Sequence, residues 1–519
     1  MVLAILAIVI VIFTGIYLWA MEKKKQMERA AATPPFEGIP SAPGAHWFFG
    51  HLGQMNKDGD FQKGQKTVLV DSAKADGIVS FKFLTTPAVS ILLGKDAKAI
   101  LNASSYRQPI SFLKIHNDVF LGPYALTALM GKEWKYYRTV VHRSFTPAAL
   151  RSSQEAINLI GTTLAKSLLH ACSQNGGSYQ ATVLPVMKMA TIDVFGLAVL
   201  GQDFECSANL KPSPIASAFD YLADEYTRRL ARPWDPSGRC YWLPTAANRR
   251  HKRERMFVRS FVAKLVAEKR LHPSSEKKDL LTSLVKANEE KGGEMSDAVL
   301  ADTLMVLLFG GYDTTSITLT YALYLLATHA DIQAQCVAEI KSVLGTENSL
   351  KDPADLPYTR AVVLETLRLY PAAPVTTRNL EKPLEIRPGV VLPLGTMCYV
   401  PIWSIQRDER NFPHPQDFRP DRWVKKSAGE TWTERFPNEN DDMPDIAAAN
   451  RDAFCAFSGG ARNCVGRVLA MQEAVTLLAF LLRDLKFQCV KDYKLEPTLS
   501  SFVQKPVDDL PMVIKPRYE

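Results

Sequence analysis

A mainly helical chain with small β-sheets (α+β), preceded by one N-terminal transmembrane helix, is the fold class these 519 residues predict. Three observations carry it. Helical periodicity dominates the middle of the chain, and the strand-like pieces are short and bounded by turn residues. Met1 to Ala20 is almost unbroken Val, Leu, Ile and Ala. A composition that is 47% hydrophobic leaves ample material for a large core. The net charge of +8, from 62 basic and 54 acidic residues, permits an acidic partner or an anionic membrane and does not demand nucleic acid. Eight scattered cysteines without a C-x-x-C pair exclude zinc-ribbon spacing and a dense disulfide framework, and place the bulk of the chain in a reducing compartment.

Residues 1–20 are long enough to span a bilayer core of roughly 30 Å as a helix. Lys23, Lys24 and Lys25 follow at once, so the remainder is expected on the cytosolic side. A cleaved signal peptide would start with basic residues, which are missing here. Residues 21–44 read as a polar connector and a proline-rich hinge (Pro34, Pro35, Pro40, Pro43-Gly44), and 45–519 as one catalytic domain. The aromatic run His46 to Leu52 suits a domain edge or a membrane interface. Its two histidines read as solvated or hydrogen-bonded rather than metal-binding, since no partner stands nearby.

Ile78 to Leu84 and Ala88 to Leu93, separated by Thr85-Thr86-Pro87, read as a strand pair. Trp134 and Arg138 share a helical face. The basic run between Arg249 and Arg255 reads as a solvated helix face. Ser296 or Asp297 can cap a long helix reaching about Thr328, apolar around most of its circumference. A second membrane span fits by length. Against it, Gly310-Gly311 weakens the middle, and Asp313, Thr314 and Thr315 place polar groups there that need a reason. Glu365 and Arg368 lie three apart on a helix stopped by Pro371, and short strands follow at 390–392 and 397–400. Residues 424–450 form a long acidic loop.

That loop leads into Phe457-Ser458-Gly459-Gly460-Ala461-Arg462-Asn463-Cys464-Val465-Gly466, a glycine-rich turn that presents one cysteine where a helix begins. The positive end of a helix favours thiolate over thiol, and a cysteine thiolate is an axial ligand of haem. The stretch resembles the haem-binding signature of the cytochrome P-450 superfamily, F-x-x-G-x-R-x-C-x-G, with Phe457, Gly460, Arg462, Cys464 and Gly466 in the fixed places. The resemblance spans about residues 34–519 and implies the P-450 fold, haem b, and Cys464 as the iron ligand. Trp134 and Arg138 match the family's W-x-x-x-R, and they and Arg378 are implied to meet haem propionates. Gly310-Gly311-Tyr312-Asp313-Thr314-Thr315 resembles the oxygen-activation motif, with Gly311 beside the haem and Asp313 and Thr314 relaying protons. Glu365, Arg368 and Arg422 resemble the buried network that holds the cysteine loop.

Leu304, Leu308, Phe309, Val375, Thr376, Leu499 and Phe502 fall where family members line the substrate pocket, with Ser501 as a further polar group. The resemblance therefore implies a monooxygenase that inserts one atom of O2 into a lipophilic substrate: a fatty acid, sterol, terpenoid or carotenoid. Electrons come from NADPH through a separate reductase, with cytochrome b5 a second candidate donor, at the endoplasmic reticulum membrane. Lys132, Lys135 and Arg143 lie in the stretch that usually faces that partner. The Trp47 to Leu52 segment is similar to the fatty-acid ω-hydroxylase branch, which often carries Glu where this chain has Gly310. A reductase-independent haem-thiolate isomerase or dehydratase is the rival enzyme, and a non-catalytic membrane haem-binding protein the rival outside catalysis.

Overall fold

The computed structural model describes residues 21–22, 36–46, 50–55, 66–73, 75–83, 86–103, 105–106, 120–230, 239–271, 279–293, 295–426, 432–434, 452–500 and 503–517. The expected anchor, most of the connector, most of the acidic loop, Ser501 and Phe502 lie outside the described residues.

Numbering strands in chain order, β1 (Ile78–Phe83) and β2 (Thr86–Ile91) pair antiparallel as the expected strand pair, with Thr86 and Pro87, read as turn residues, inside β2. The 2-residue β3 (Ser105–Tyr106) follows, then β4 (Tyr179–Thr182), β5 (Thr376–Leu380), β6 (Leu384–Arg387), β7 (Val390–Leu392) and β8 (Met397–Val400). After these come β9 (Val424–Lys426), β10 (Trp432–Glu434), β11 (Leu485–Cys489), β12 (Pro497–Ser500), β13 (Val503–Pro506) and β14 (Pro511–Pro516). The main sheet has the order β1-β2-β8-β5-β3, with β8 parallel to β2 and antiparallel to β5. A second sheet, β11-β14-β4, ties the C-terminus to the middle of the chain. The pairs β6–β7, β9–β10 and β12–β13 stand apart as two-stranded pieces.

The longer described helices are α1 (Gly94–Asn102), α2 (Gly131–Ser144), α3 (Pro147–Gln174), α4 (Val183–Phe195), α5 (Pro214–Leu230) and α6 (Ala246–Leu271). They continue with α7 (Leu280–Glu290), α8 (Asp297–Thr328), α9 (Ala330–Leu344), α10 (Pro357–Leu369) and α11 (Arg467–Asp484). The 32-residue α8 is the axis of the domain, packing against α4, α6, α10 and α11. Ser296 caps it, its side chain accepting from the Val299 amide at 3.4 Å. Its apolar circumference is explained by burial inside a helical domain, and its glycine pair leaves it unbroken. Among the described residues, Val183–Leu200 is the helix long and apolar enough to cross a membrane, and it too is mostly buried in the domain.

Local chemistry sets the other boundaries. Thr146 caps α3 ahead of Pro147, and Pro357 opens α10. The free amides of Tyr358 and Thr359 in that first turn are taken by Glu339 from α9, each at 2.7 Å. His51 is buried, its Nε2 3.0 Å from the Ala42 carbonyl, while its Nδ1 accepts from the Lys82 amide at 3.0 Å. It is a structural histidine, in keeping with the sequence. In the basic run on α6, Arg249, Arg250, Lys252 and Arg253 are exposed, Glu254 and Arg255 are half-buried, and His251 is buried. Burial and the neighbouring Arg229 and Arg255 press its pKa down to about 3.

Candidate active site

The cysteine loop is held by geometry that few residues satisfy. Ser458 and Gly460 both adopt left-handed backbone, φ +59° and +63°. A Cβ on Gly460 would overlap the Leu101 carbonyl at the end of α1, so a glycine is required there twice over. The Ser458 amide donates to the Cys455 carbonyl at 2.7 Å, and the Cys464 amide donates to the Phe457 carbonyl at 2.9 Å. Gly466 then leads into α11, its carbonyl accepting from Ala470 at 2.8 Å. Cys464 therefore sits exposed just ahead of a helix N-terminus, where the helix dipole favours a thiolate. The other cysteines differ. Burial pushes Cys336, Cys398 and Cys455 up to about 12 and Cys206 to about 11, which makes them inert thiols.

Arginines gather around this loop from several elements. Arg138 on α2 donates to the Asn463 side chain at 2.7 Å. The Arg462 guanidinium lies over the Trp134 ring, 3.7 Å from its centroid, and donates to the Leu129 carbonyl at 3.0 Å. Arg378 on β5 donates to the Ser458 hydroxyl at 2.8 Å and to Thr376 Oγ1 at 3.0 Å. Arg467 lies over the Phe457 ring at 5.6 Å. Burial lowers the pKa of Arg138 and Arg467, and the charge of Cys464 opposes that in both. Trp134, Arg138 and Arg378, spread over more than two hundred residues of sequence, are thus brought to the cysteine loop that carries Phe457, Gly460 and Arg462.

Behind the loop lies a buried ion network. Glu365 accepts from Arg368 Nη2 at 2.7 Å and Nε at 2.9 Å, with both side chains fully buried. Its oxygens also accept from Arg422 Nε at 3.2 Å and Trp423 Nε1 at 2.9 Å. Arg368 donates onward to the Gln406 carbonyl at 2.8 Å, and Gln406 Oε1 accepts from the Cys455 amide at 2.9 Å. A hydrogen-bonded path therefore runs from α10 into the cysteine loop, joining the three residues expected to form the network.

On α8 the decisive feature is a stripe. The helix is buried on most sides, yet Leu307, Gly310, Gly311 and Thr314, at i, i+3, i+4 and i+7, are partly accessible. Thr314 Oγ1 donates to the Gly310 carbonyl at 2.5 Å. Asp313 points elsewhere. It is buried and paired with Lys188 of α4 at 3.1 Å; Lys188 also holds Asp220 of α5 at 2.6 Å, and Tyr312 donates to Asp220 at 2.9 Å. Burial works against the Lys188 charge, but the two carboxylates more than offset this and hold its pKa up.

Of the residues expected to line a pocket, Leu304 and Leu308 are buried in the core and Phe309 packs edge-on against Phe120 at 5.6 Å. Val375 is half-buried beside Met397 and Tyr399, and Thr376 is buried on β5. Leu499 is on β12 with Gln504 as its strand partner. Leu307 was missed, although its spacing to Gly310 and Thr314 could have found it. Lys188, Asp220 and Gln406 carry no sequence signal.

Among the described residues no three His, Cys, Asp or Glu side chains converge as a metal site. A metal held by Cys464 must bring its other ligands with it, as a porphyrin does. The surrounding arginines and Trp134 suit the two carboxylates of such a macrocycle, and the small residues of the α8 stripe leave a face open. The residues present fit haem. Fold and site together define a haem-thiolate oxidoreductase.

The chain belongs to the Cytochrome P450 family, whose sequence model matches residues 40–511. It is 26% identical to cytochrome P450 4F4 of Rattus norvegicus, over 88% of this chain and 85% of that protein. It is 27% identical to cytochrome P450 4A11 of Homo sapiens, over 84% and 82%. A bifunctional cytochrome P450/NADPH–P450 reductase of Aspergillus oryzae is 28% identical over 72% of this chain and 32% of that protein. The crystal structure of a cytochrome P450, CYP102L1, superposes with a TM-score of 0.74 at 21% identity, over 88% of this chain and 99% of that one. The protein is a monooxygenase-type oxidoreductase of the haem-thiolate class, with O2 as its oxidant.

Proposed function

We propose that the chain is a membrane-anchored monooxygenase of a lipophilic substrate, a fatty acid, sterol, terpenoid or carotenoid, fed by a separate NADPH reductase at the endoplasmic reticulum. The single observation behind the monooxygenase chemistry is Cys464, exposed ahead of α11 and ringed by arginines. When bound, the haem supplies reductive activation of O2 and insertion of one oxygen atom into an unactivated C–H or C=C bond. Cys464 would hold the iron and direct electron density onto it. Arg138, Arg378, Arg462 and Trp134 would orient the macrocycle through its carboxylates, and Gly466 would leave it room, whereas a side chain at Gly311 would meet Phe195 of α4. Thr314 offers a hydroxyl on the accessible face of α8, and Asp313 supplies the carboxylate behind it, held in place by Lys188.

The apolar residues Leu304, Leu308, Phe309, Val375, Leu499 and Phe502, with Thr376, support a pocket for a guest that partitions into lipid. The apolar stretch 1–20 and the hinge within 21–44 support an anchor that holds the domain 45–519 at the bilayer, facing the cytosol. Lys132, Lys135 and Arg143 are exposed on α2, and Lys132, Lys135 and Lys291 line one surface hollow with Tyr136 and Thr139. That basic hollow suits an acidic redox partner, and the Aspergillus oryzae relative joins a P450 and its reductase in one chain.

The test is NADPH oxidation by the haem-loaded protein with added reductase, against lipids and charged metabolites. Substrate-dependent oxidation and hydroxylated product with lipids are expected. Turnover of a lipid peroxide without reductase would mark an isomerase or dehydratase, and saturable binding of charged metabolites alone would refute the lipophilic guest.

A further inference from the structure

Behind the accessible stripe of α8, one ammonium serves two carboxylates. Lys188 of α4 stands 2.6 Å from Asp220 of α5 and 3.1 Å from Asp313 of α8. Two carboxylates against one lysine leave the cluster a positive charge short, so each pairing weakens the other. The shorter contact goes to Asp220. That carboxylate also accepts from the Tyr312 hydroxyl at 2.9 Å, and its side chain is 36% exposed, against 7% for Asp313. Asp220 is thus the better-supported partner of the lysine, and Asp313 the one sealed from water.

The backbone around the cluster is pinned. Thr191, one turn along α4 from Lys188, is buried and donates its hydroxyl to the Tyr312 carbonyl at 2.9 Å. The Lys188 ammonium lies over the Tyr312 ring, 5.2 Å from its centroid. With α4 and α8 joined in this way, the groups left to adjust are the side chains of Lys188 and Asp313. Asp313 adjoins Thr314 in sequence, yet it faces Lys188 while Thr314 faces the accessible stripe. To pass a proton to Thr314, Asp313 must leave its ammonium. Breaking a buried pair is costly unless a second anion takes up the lysine.

We propose that Asp220 is a positioning residue for proton delivery: it draws Lys188 off Asp313, so that Asp313 can turn to Thr314. This rests on the reading above that Asp313 and Thr314 relay protons, and it adds a residue from a different helix. In the step itself, the Asp313 carboxylate takes a proton from water and gives it to the Thr314 oxygen. The hydroxyl proton of Thr314 moves on to the oxygen being reduced, and the electrons come from NADPH through the reductase. Lys188 and Asp220 keep their charges throughout.

The test compares Asp220→Asn, Asp220→Glu and the double variant Asp220→Asn/Lys188→Met with wild type, in the full haem-loaded chain with added reductase and the lipid it oxidises fastest. Asparagine keeps the shape of Asp220 and an acceptor for Tyr312 but not the charge. Its product per NADPH consumed should fall roughly tenfold, with KM unchanged and a larger solvent deuterium isotope effect, because Lys188 now holds Asp313 alone. Asp220→Glu keeps the charge and should recover most of the coupling. Adding Lys188→Met to Asp220→Asn should recover it too, since no ammonium is left to hold Asp313. A readout independent of turnover is the crystal structure of Asp220→Asn, in which Lys188 should close on Asp313 to about 2.8 Å. Unchanged coupling in Asp220→Asn, or a Lys188 that does not approach Asp313, would overturn the proposal. So would glutamate and double variants no better than asparagine, which would make Asp220 a structural brace. If Thr314→Ala is itself fully coupled, the relay reading falls and this inference with it.

Discussion

The two sides of the site are built on different principles. The cysteine loop is held by short-range, heavily hydrogen-bonded geometry: two left-handed residues, a glycine pressed on a carbonyl, and a buried carboxylate that engages two arginines and a tryptophan. The α8 face and the β12–β13 hairpin are held instead by apolar packing, with polar side chains such as Thr315, Tyr321 and Gln504 buried without partners. One side fixes a group that never changes.

That contrast can be broken by substitution, and the largest effect is expected behind the loop. Glu365→Gln removes the carboxylate that pairs with both Arg368 and Arg422 and leaves two buried cations without its charge, at a cost of about 3–5 kcal/mol. Chemical denaturation should show that loss, together with poor haem retention. A variant as stable as wild type would mean that the network does not support the loop. Thr314→Ala on the opposite side should hardly change stability, since Thr314 is partly accessible and bonds only its own helix. Its expected effect is on chemistry: product per NADPH consumed should fall as the proton step slows by about 10²-fold. Unchanged coupling would remove Thr314 from the relay.

A further effect is a pH dependence away from both regions. His251 is buried with its pKa near 3, below the ordinary value of 6.5. The unfolded chain therefore binds a proton that the folded chain refuses. Stability is fully present above about pH 6.5 and falls as pH drops, by at most about 1.4 kcal/mol per unit until pH nears 3. His251→Gln should flatten the acid limb of the urea midpoint plotted against pH, and an identical slope in both proteins would contradict this assignment.

The same contrast explains what could be read from the sequence. The loop side was legible because its chemistry fixes residue types at fixed spacings: Cys464 with its glycines, Glu365 with Arg368, Trp134 with Arg138. The strand pair at 78–91, the helix ending before Pro371 and the strands at 390–392 and 397–400 were legible from local pattern and turn residues. The sequence could not show that Asp313 faces Lys188 and Asp220 while Thr314 faces the open stripe, because that depends on how α4 and α5 pack on α8. Nor could it reveal that Gln504 is buried, which depends on elements distant in the chain. The β11-β14-β4 sheet is equally a product of tertiary pairing, and its strands carry no turn signal linking them.

The site turns on one sulfur, and the reduced CO-difference spectrum of Cys464→Ser measures it most directly. The variant should lose the thiolate-type band, while serine at Cys172, Cys206, Cys240, Cys336, Cys398, Cys455 or Cys489 should leave it in place in whatever folded protein is recovered. A thiolate band that survives in Cys464→Ser would contradict the assignment of the iron ligand and, with it, the site.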